Sequence, residues 1–132
     1  MNPETIITAV AWEDAGAVLL GRILDYAGAA LTQAAVTSLK MYGYKEGTAT
    51  AKTELNTGGT ALVVSSTIFD TLQTGTIWTV DTTGYNFKYS ITPASGLLQT
   101  PGWYRIEIPI TPATGALIPL VYRIKVLGLW SS

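Results

Sequence analysis

The sequence predicts an all-β antiparallel sandwich, and three observations carry that prediction. Short runs alternate apolar and polar residues with a period of two, the mark of a strand with one buried face. The runs recur at spacings of about 10 residues, separated by Gly, Pro, Asn and Thr, the residues of tight turns. The chain has 132 residues and is 48% apolar, which is one domain's length and enough to bury a core.

The elements follow in chain order. Residues 1–15 read as an N-terminal extension or an edge strand, ahead of a sandwich domain over 16–132. This stretch holds Ile6, Ile7, Val10 and Trp12, and up to residue 13 its only charges are Glu4 and Glu13. An apolar end of this kind needs cover: either it adds as an edge strand to its own sandwich, or it reaches onto a neighbouring subunit. Residues 18–24 and 39–44 read as strands, and 29–36 as at most one short helical turn. A polar strand near 48–55 is followed by the turn Asn56-Thr57-Gly58-Gly59 and an apolar, β-branched strand over 61–69. Residues 86–91 alternate Phe87, Tyr89 and Ile91 against Lys88 and Ser90. Residues 103–110 put Tyr104, Ile106, Ile108 and Ile110 on one face and Trp103, Arg105, Glu107 and Pro109 on the other. Residues 120–126 repeat the alternation, and Thr-Pro-Ala-Thr-Gly at 111–115 makes the two a hairpin. Tyr104, two residues after Gly102, suits either the tyrosine corner of Greek-key sandwiches or an ordinary core-edge tyrosine.

Composition excludes several functions. Charged residues are only 13% of the chain, against roughly 25% in typical soluble domains. Either neighbours cover much of the surface or the surface is a Thr-rich β-face. Net charge is −1, from eight basic and nine acidic residues scattered along the chain. No basic patch marks a nucleic-acid partner, and no Lys/Arg cluster marks an anionic membrane. Uncharged runs are shorter than a spanning helix and are broken by Pro93 and Pro101, or by Pro109, Pro112 and Pro119. The N-terminus lacks the basic segment of a signal peptide. With no Cys there is no disulfide framework, and with neither His nor Cys there is no triad of the Ser-His-Asp or Cys-His kind and no zinc site. No phosphate-binding glycine loop is present. The chain reads as a non-enzyme without cofactor or metal.

Two sets of residues remain as candidates for chemistry. Asp70 and Asp81 flank the segment TLQTGTIWTV; they could meet across a loop around a hard cation, but the alternating ligands of a calcium loop are missing, which favours carboxylates that cap turns. The aromatics offer either a stacking platform for sugars or anchors for protein contact. Trp103 faces outward by its strand phase, Trp130 lies in the tail and Trp78 reads as core. No polar cluster accompanies them to read sugar hydroxyls, which favours protein contact. The interface candidates are therefore Trp12, Trp103, Trp130, Ile6, Ile7 and Val10.

One segment carries a family likeness. Ile68-Phe69-Asp70-Thr71-Leu72-Gln73-Thr74, Ile77-Trp78-Thr79-Val80-Asp81 and Thr83-Gly84-Tyr85-Asn86-Phe87-Lys88, followed by Gly102-Trp103-Tyr104-Arg105, resemble a pattern in small structural proteins of tailed phages and prophages. Upstream, Gly21-Arg22-Ile23-Leu24-Asp25, Gly28, Leu31-Thr32-Gln33-Ala34 and Val36 share the likeness, which spans residues 18–127. The resemblance implies an immunoglobulin-like antiparallel β-sandwich of about seven or eight strands, with Trp78, Tyr85 and Phe87 as core and Asp70 and Asp81 as turn caps. It supplies no catalytic residues. The chain departs from the pattern at Gly75, where an acidic residue is usual, and in its apolar extension through Trp12. The resulting expectation is a virion protein assembled in the host cytoplasm. In its most concrete form it is a capsid decoration (cement) protein that contacts the major capsid protein or other virion proteins, as a homo-oligomer or in a multivalent lattice. A tail or baseplate accessory domain and a receptor- or carbohydrate-binding module are the alternatives.

Overall fold

Hairpin formation by the last two strands organises the molecule. In the computed structural model, which describes residues 6–46, 52–56 and 58–129, β8 (Gly102–Pro112) and β9 (Ile118–Leu127) pair antiparallel from Gly102↔Val126 to Ile110↔Ile118. Tyr104, Ile106, Ile108 and Ile110 are buried, as are Leu120, Tyr122, Ile124 and Val126, so the alternation places one full face of the hairpin in the core. The turn lies at 113–117, two residues later than the sequence puts it, because Thr111 and Pro112 still belong to β8 and pair with β3.

The remaining strands build outward from this hairpin. β1 (Ile6–Trp12) runs parallel to β9, from Ile6↔Val121 to Trp12↔Leu127. β3 (Val36–Glu46) pairs antiparallel with β8 on the other side. Two short strands, β4 (Lys52–Glu54) and β5 (Thr60–Ala61), pair separately with β3 and complete a six-stranded sheet of order β1-β9-β8-β3-β4. The second sheet has the order β2-β7-β6, made of β2 (Ala17–Gly21), β7 (Tyr85–Ile91) and β6 (Ile68–Gln73). The core lies between the sheets, where Leu19, Ile68, Phe87 and Ile91 of the small sheet meet Leu39, Met41, Ile106 and Tyr122 of the large one. Phe87 and Tyr122 stack across it at 6.5 Å between ring centroids. The protein is an all-β sandwich.

Three expectations change. Nine strands are described in place of seven or eight, because the single strand expected over 61–69 becomes two, β5 and β6. The single strand expected over 61–69 is broken at a helical turn, α1 (Val64–Thr67), between β5 and β6. Hydroxyls explain the break: Thr67 donates to the Val63 carbonyl at 2.9 Å and Ser66 to the same oxygen at 3.1 Å, back-bonding that competes with a sheet ladder. The turn carries the chain from the large sheet to the small one. Finally, Trp78 is not core. It lies half-buried in the β6–β7 loop, its ring 5.6 Å from that of Tyr85, while Tyr85 and Phe87 are buried as the motif implies.

Of residues 1–15, those described, 6–15, include β1, which lies at the edge of the large sheet. Along β1, Ile7, Ala9 and Ala11 face inward against the core, whereas Val10 and Trp12 stay 65% and 50% exposed. Four residues then link β1 to β2, and Asp14 (φ 56°) and Gly16 (φ 75°) take the left-handed conformations that a turn this tight needs.

Candidate functional site

Strand polarity gathers three connections at one end of the sandwich. β2 ends at Gly21, β6 at Gln73 and β8 at Pro112, so the segments 22–35, 74–84 and 113–117 all emerge there. The first two are held by polar side chains bonded to backbone, the third by a backbone–backbone bond to the first. The carboxamide of Asn86, fully buried in β7, accepts a hydrogen bond from Ile23 N at 2.7 Å and donates to the carbonyls of Ile23 and Leu31, both at 2.9 Å. A segment of irregular backbone is thereby satisfied inside the protein by one side chain. Asp25 closes a turn of its own, accepting from Ala27 N at 2.9 Å and Ala29 N at 3.0 Å. Asp70 accepts from Gln33 N at 2.8 Å, and Ala113 N donates to Ala35 O at 2.8 Å, tying the hairpin turn to the first segment.

The 74–84 loop has a clasp. Asp81 accepts from the Trp78 indole N–H at 2.9 Å and from Thr83 N and Gly84 N, both at 3.1 Å; its other oxygen pairs with Arg22 at 2.7 Å. The indole N–H, followed by the Arg22 guanidinium and the Gly84 N–H, holds the Asp81 carboxyl well below the usual carboxylate range. Arg22 also donates to Gly84 O at 3.2 Å. Gly84 is required by close approach: with φ at 106°, a Cβ there would sit 2.4 Å from Gln73 O. Asp70 and Asp81 thus serve separate turns, and among the described residues no group of three or more acidic, His or Cys side chains is placed to hold a metal.

These bonds consume the charges of this end and leave its apolar side chains outside. Leu24 is 50% exposed, Tyr26 74%, Ile77 53%, Val80 72% and Leu117 56%. Between the first segment and the hairpin turn lies a cleft of about 460 Å³, walled by Leu24, Tyr26 and Leu117 with Arg22 and Asp25 at its margin. The loop end thus exposes apolar side chains on segments that are anchored through hydrogen bonds.

The residues nominated from sequence lie elsewhere. Trp12 and Val10 are exposed at the β1 edge, as proposed, and Trp12 stands at the opposite end of the molecule. Ile7 is a correction: β1 points it into the core and away from any partner, because it shares the phase of Ala9 and Ala11. Ile6 pairs through its backbone with Val121, and its side chain, like all of Trp130, falls outside the described residues. Trp103 does face outward, but Arg123 lies over its ring at 4.0 Å. Arg123 in turn forms a two-point pair with Glu46, at 2.8 and 3.1 Å. That hydrogen bond lowers the Glu46 pKa. Sequence reasoning counted Tyr26 only among the aromatics of a possible stacking platform and missed Leu24, Ile77, Val80 and Leu117, of which the last three sit in turn-rich segments without periodicity. It gave Asn86 no particular partner, although Asn is a poor strand former.

No protein-family model, no curated protein and no solved structure matches this chain.

Proposed function

We propose that the chain is a non-catalytic protein-binding module of immunoglobulin-like topology that docks through its loop end on neighbouring protein subunits. The observation that carries this reading is the end itself: Leu24, Tyr26, Ile77, Val80 and Leu117 exposed on loops whose charged groups are spent on holding those loops. The immunoglobulin-like assignment rests on strand order, β1-β9-β8-β3-β4 against β2-β7-β6, with a first strand parallel to the last. It is supported too by the hydroxyl of Tyr104, which donates to Thr100 O at 2.8 Å four residues upstream, the bond of a tyrosine corner.

The particular protein we infer is a structural component of a tailed-phage virion, in its most concrete form a capsid decoration protein. The motif over residues 68–88 and the low charge of 13% favour it, since a lattice of identical sites rewards a neutral surface covered by neighbours. Carbohydrate binding is disfavoured at Trp103, where Arg123 already occupies a face of the indole that a sugar ring would need.

A mass-spectrometric protein count on purified particles of the encoding phage tests the reading. A decoration protein is present in copies commensurate with the capsid lattice. A handful of copies per particle makes it a tail or baseplate component, and absence from particles defeats the virion assignment.

A further inference from the structure

We propose that the flank formed by β1 and β2 pairs with the same flank of a second copy of this chain, β1 running antiparallel to its own equivalent across a two-fold axis. Each of these strands ends its sheet: β1 pairs with β9 alone and β2 with β7 alone among the described residues. They share one flank, because four residues connect them and the Tyr122 hydroxyl of β9 donates to the Leu20 carbonyl of β2 at 2.6 Å.

The composition of this flank selects the occupant. Neither IITAVAW nor AVLLG holds a charge or a proline, and β1 keeps an unbroken register with β9 over all seven of its residues, with no bulge. An edge this long and neutral presents free backbone donors and acceptors to any extended strand, and proteins normally guard such edges. The opposite flank is guarded: β4 carries Lys52 and Glu54, β5 is two residues long, and β6 carries Asp70 and a shift of register between Ile68 and Gln73. A two-fold axis through the middle of β1 brings the central residues, Thr8 to Val10, beside their own equivalents, so a charge there would meet a like charge. Neutrality is therefore a requirement of self-pairing, whereas a foreign strand imposes no such rule.

The axis perpendicular to the large sheet that relates the two β1 strands also sets β2 beside its equivalent in the small sheet, so both layers continue into the second copy. Antiparallel pairing further separates the acidic turns at Glu13 and Asp14, placing them at opposite ends of a strand roughly 20 Å long; parallel pairing would stack them. The same contact covers Val10 and Trp12, left 65% and 50% exposed in one copy.

Sedimentation of the purified chain, which needs no other virion protein and so is independent of the virion assignment, tests this. The wild-type chain is expected to dimerise, with amides of residues 6–12 gaining protection from exchange as concentration rises. V10K and T8K place like charges at the axis on an exposed face and are expected to weaken the dimer at least about tenfold at unchanged melting temperature. T71K, on the guarded flank, leaves it intact. Should V10K fail to fold, T8K and the wild-type exchange pattern decide. A chain monomeric across the micromolar range, a dimer indifferent to both substitutions or dissociated by T71K, or exchange at 6–12 that ignores concentration overturns the proposal.

Discussion

The two ends of the sandwich solve the same problem with opposite results. Both must anchor irregular chain, and at each a buried side chain bonds to backbone: Asn86 at the loop end, helped by three aspartates, and Tyr104 at the other. At the Tyr104 end the connecting segment turns its apolar residues inward. Leu97 and Leu98 are 4% and 0% exposed, and Leu98 accepts a left-handed φ of 58° to get there. Lys45 bonds the Thr100 hydroxyl at 2.6 Å and Glu13 bonds Leu129 N at 2.9 Å, closing the surface, with Trp12 and Leu129 exposed at one corner. At the loop end the anchors hold the chain while Tyr26, Val80 and Leu117 stay outside. Anchored loops with buried apolar groups close a fold; anchored loops with exposed ones present a surface.

Substitutions that remove each anchor separate the ends further. Asn86→Ala has the largest expected effect, about 3–5 kcal/mol of stability by chemical denaturation, because one buried N–H and two carbonyls lose their partner. Tyr104→Phe keeps the ring and removes the hydroxyl's bonds to the Thr100 carbonyl, hydroxyl and N–H, at a part-buried site, for a loss of about 1–2 kcal/mol. Equal losses at the two anchors would erase the distinction drawn between them. Arg22→Ala is expected to leave the melting temperature nearly unchanged while the Trp78 indole N–H signal broadens in the NMR spectrum, since the ion pair is at the surface and governs the loop alone.

Acidification probes the same clasp. The Asp81 carboxyl titrates below its ordinary 3.8, so its contribution is present above that value and is lost as pH falls through the lower folded value. The Trp78 indole N–H resonance should hold its position down to pH 3.8 and move only beneath it. Movement at or above the ordinary carboxylate range would contradict the clasp. Trp103→Ala, the smallest effect, should cost less than about 1 kcal/mol, the worth of its partly exposed contact with Arg123.

The legible part of the fold is the part that obeys period two. Residues 103–126 disclose their hairpin, buried face and turn because each alternate side chain meets either core or solvent. Asp81 is legible as a turn cap because a carboxylate in a Gly/Thr-rich segment has backbone N–H groups within reach, whereas Asp70 sits in β6 and caps Gln33 N, 37 residues away, a partner only the topology supplies. The break at Val64–Thr67 is hidden, because β-branched and hydroxyl residues suit a strand and a back-bonded turn alike. Trp78 is misread for a different reason. Its indole N–H bonds to Asp81 in a loop, and bulk alone says nothing about that partner. The loop-end surface is illegible since it is assembled from three segments that only the topology brings together.

The central claim, that this loop end docks on neighbouring subunits, is tested most directly by particle incorporation. Val80→Asp with Leu117→Asp places two charges on the exposed surface and touches no anchor. Copies per particle, counted by mass spectrometry at an unchanged melting temperature, should fall at least about tenfold for this variant and stay at the wild-type level for Trp103→Ala. Wild-type incorporation of the double variant, with loss only for Trp103→Ala, would contradict the account.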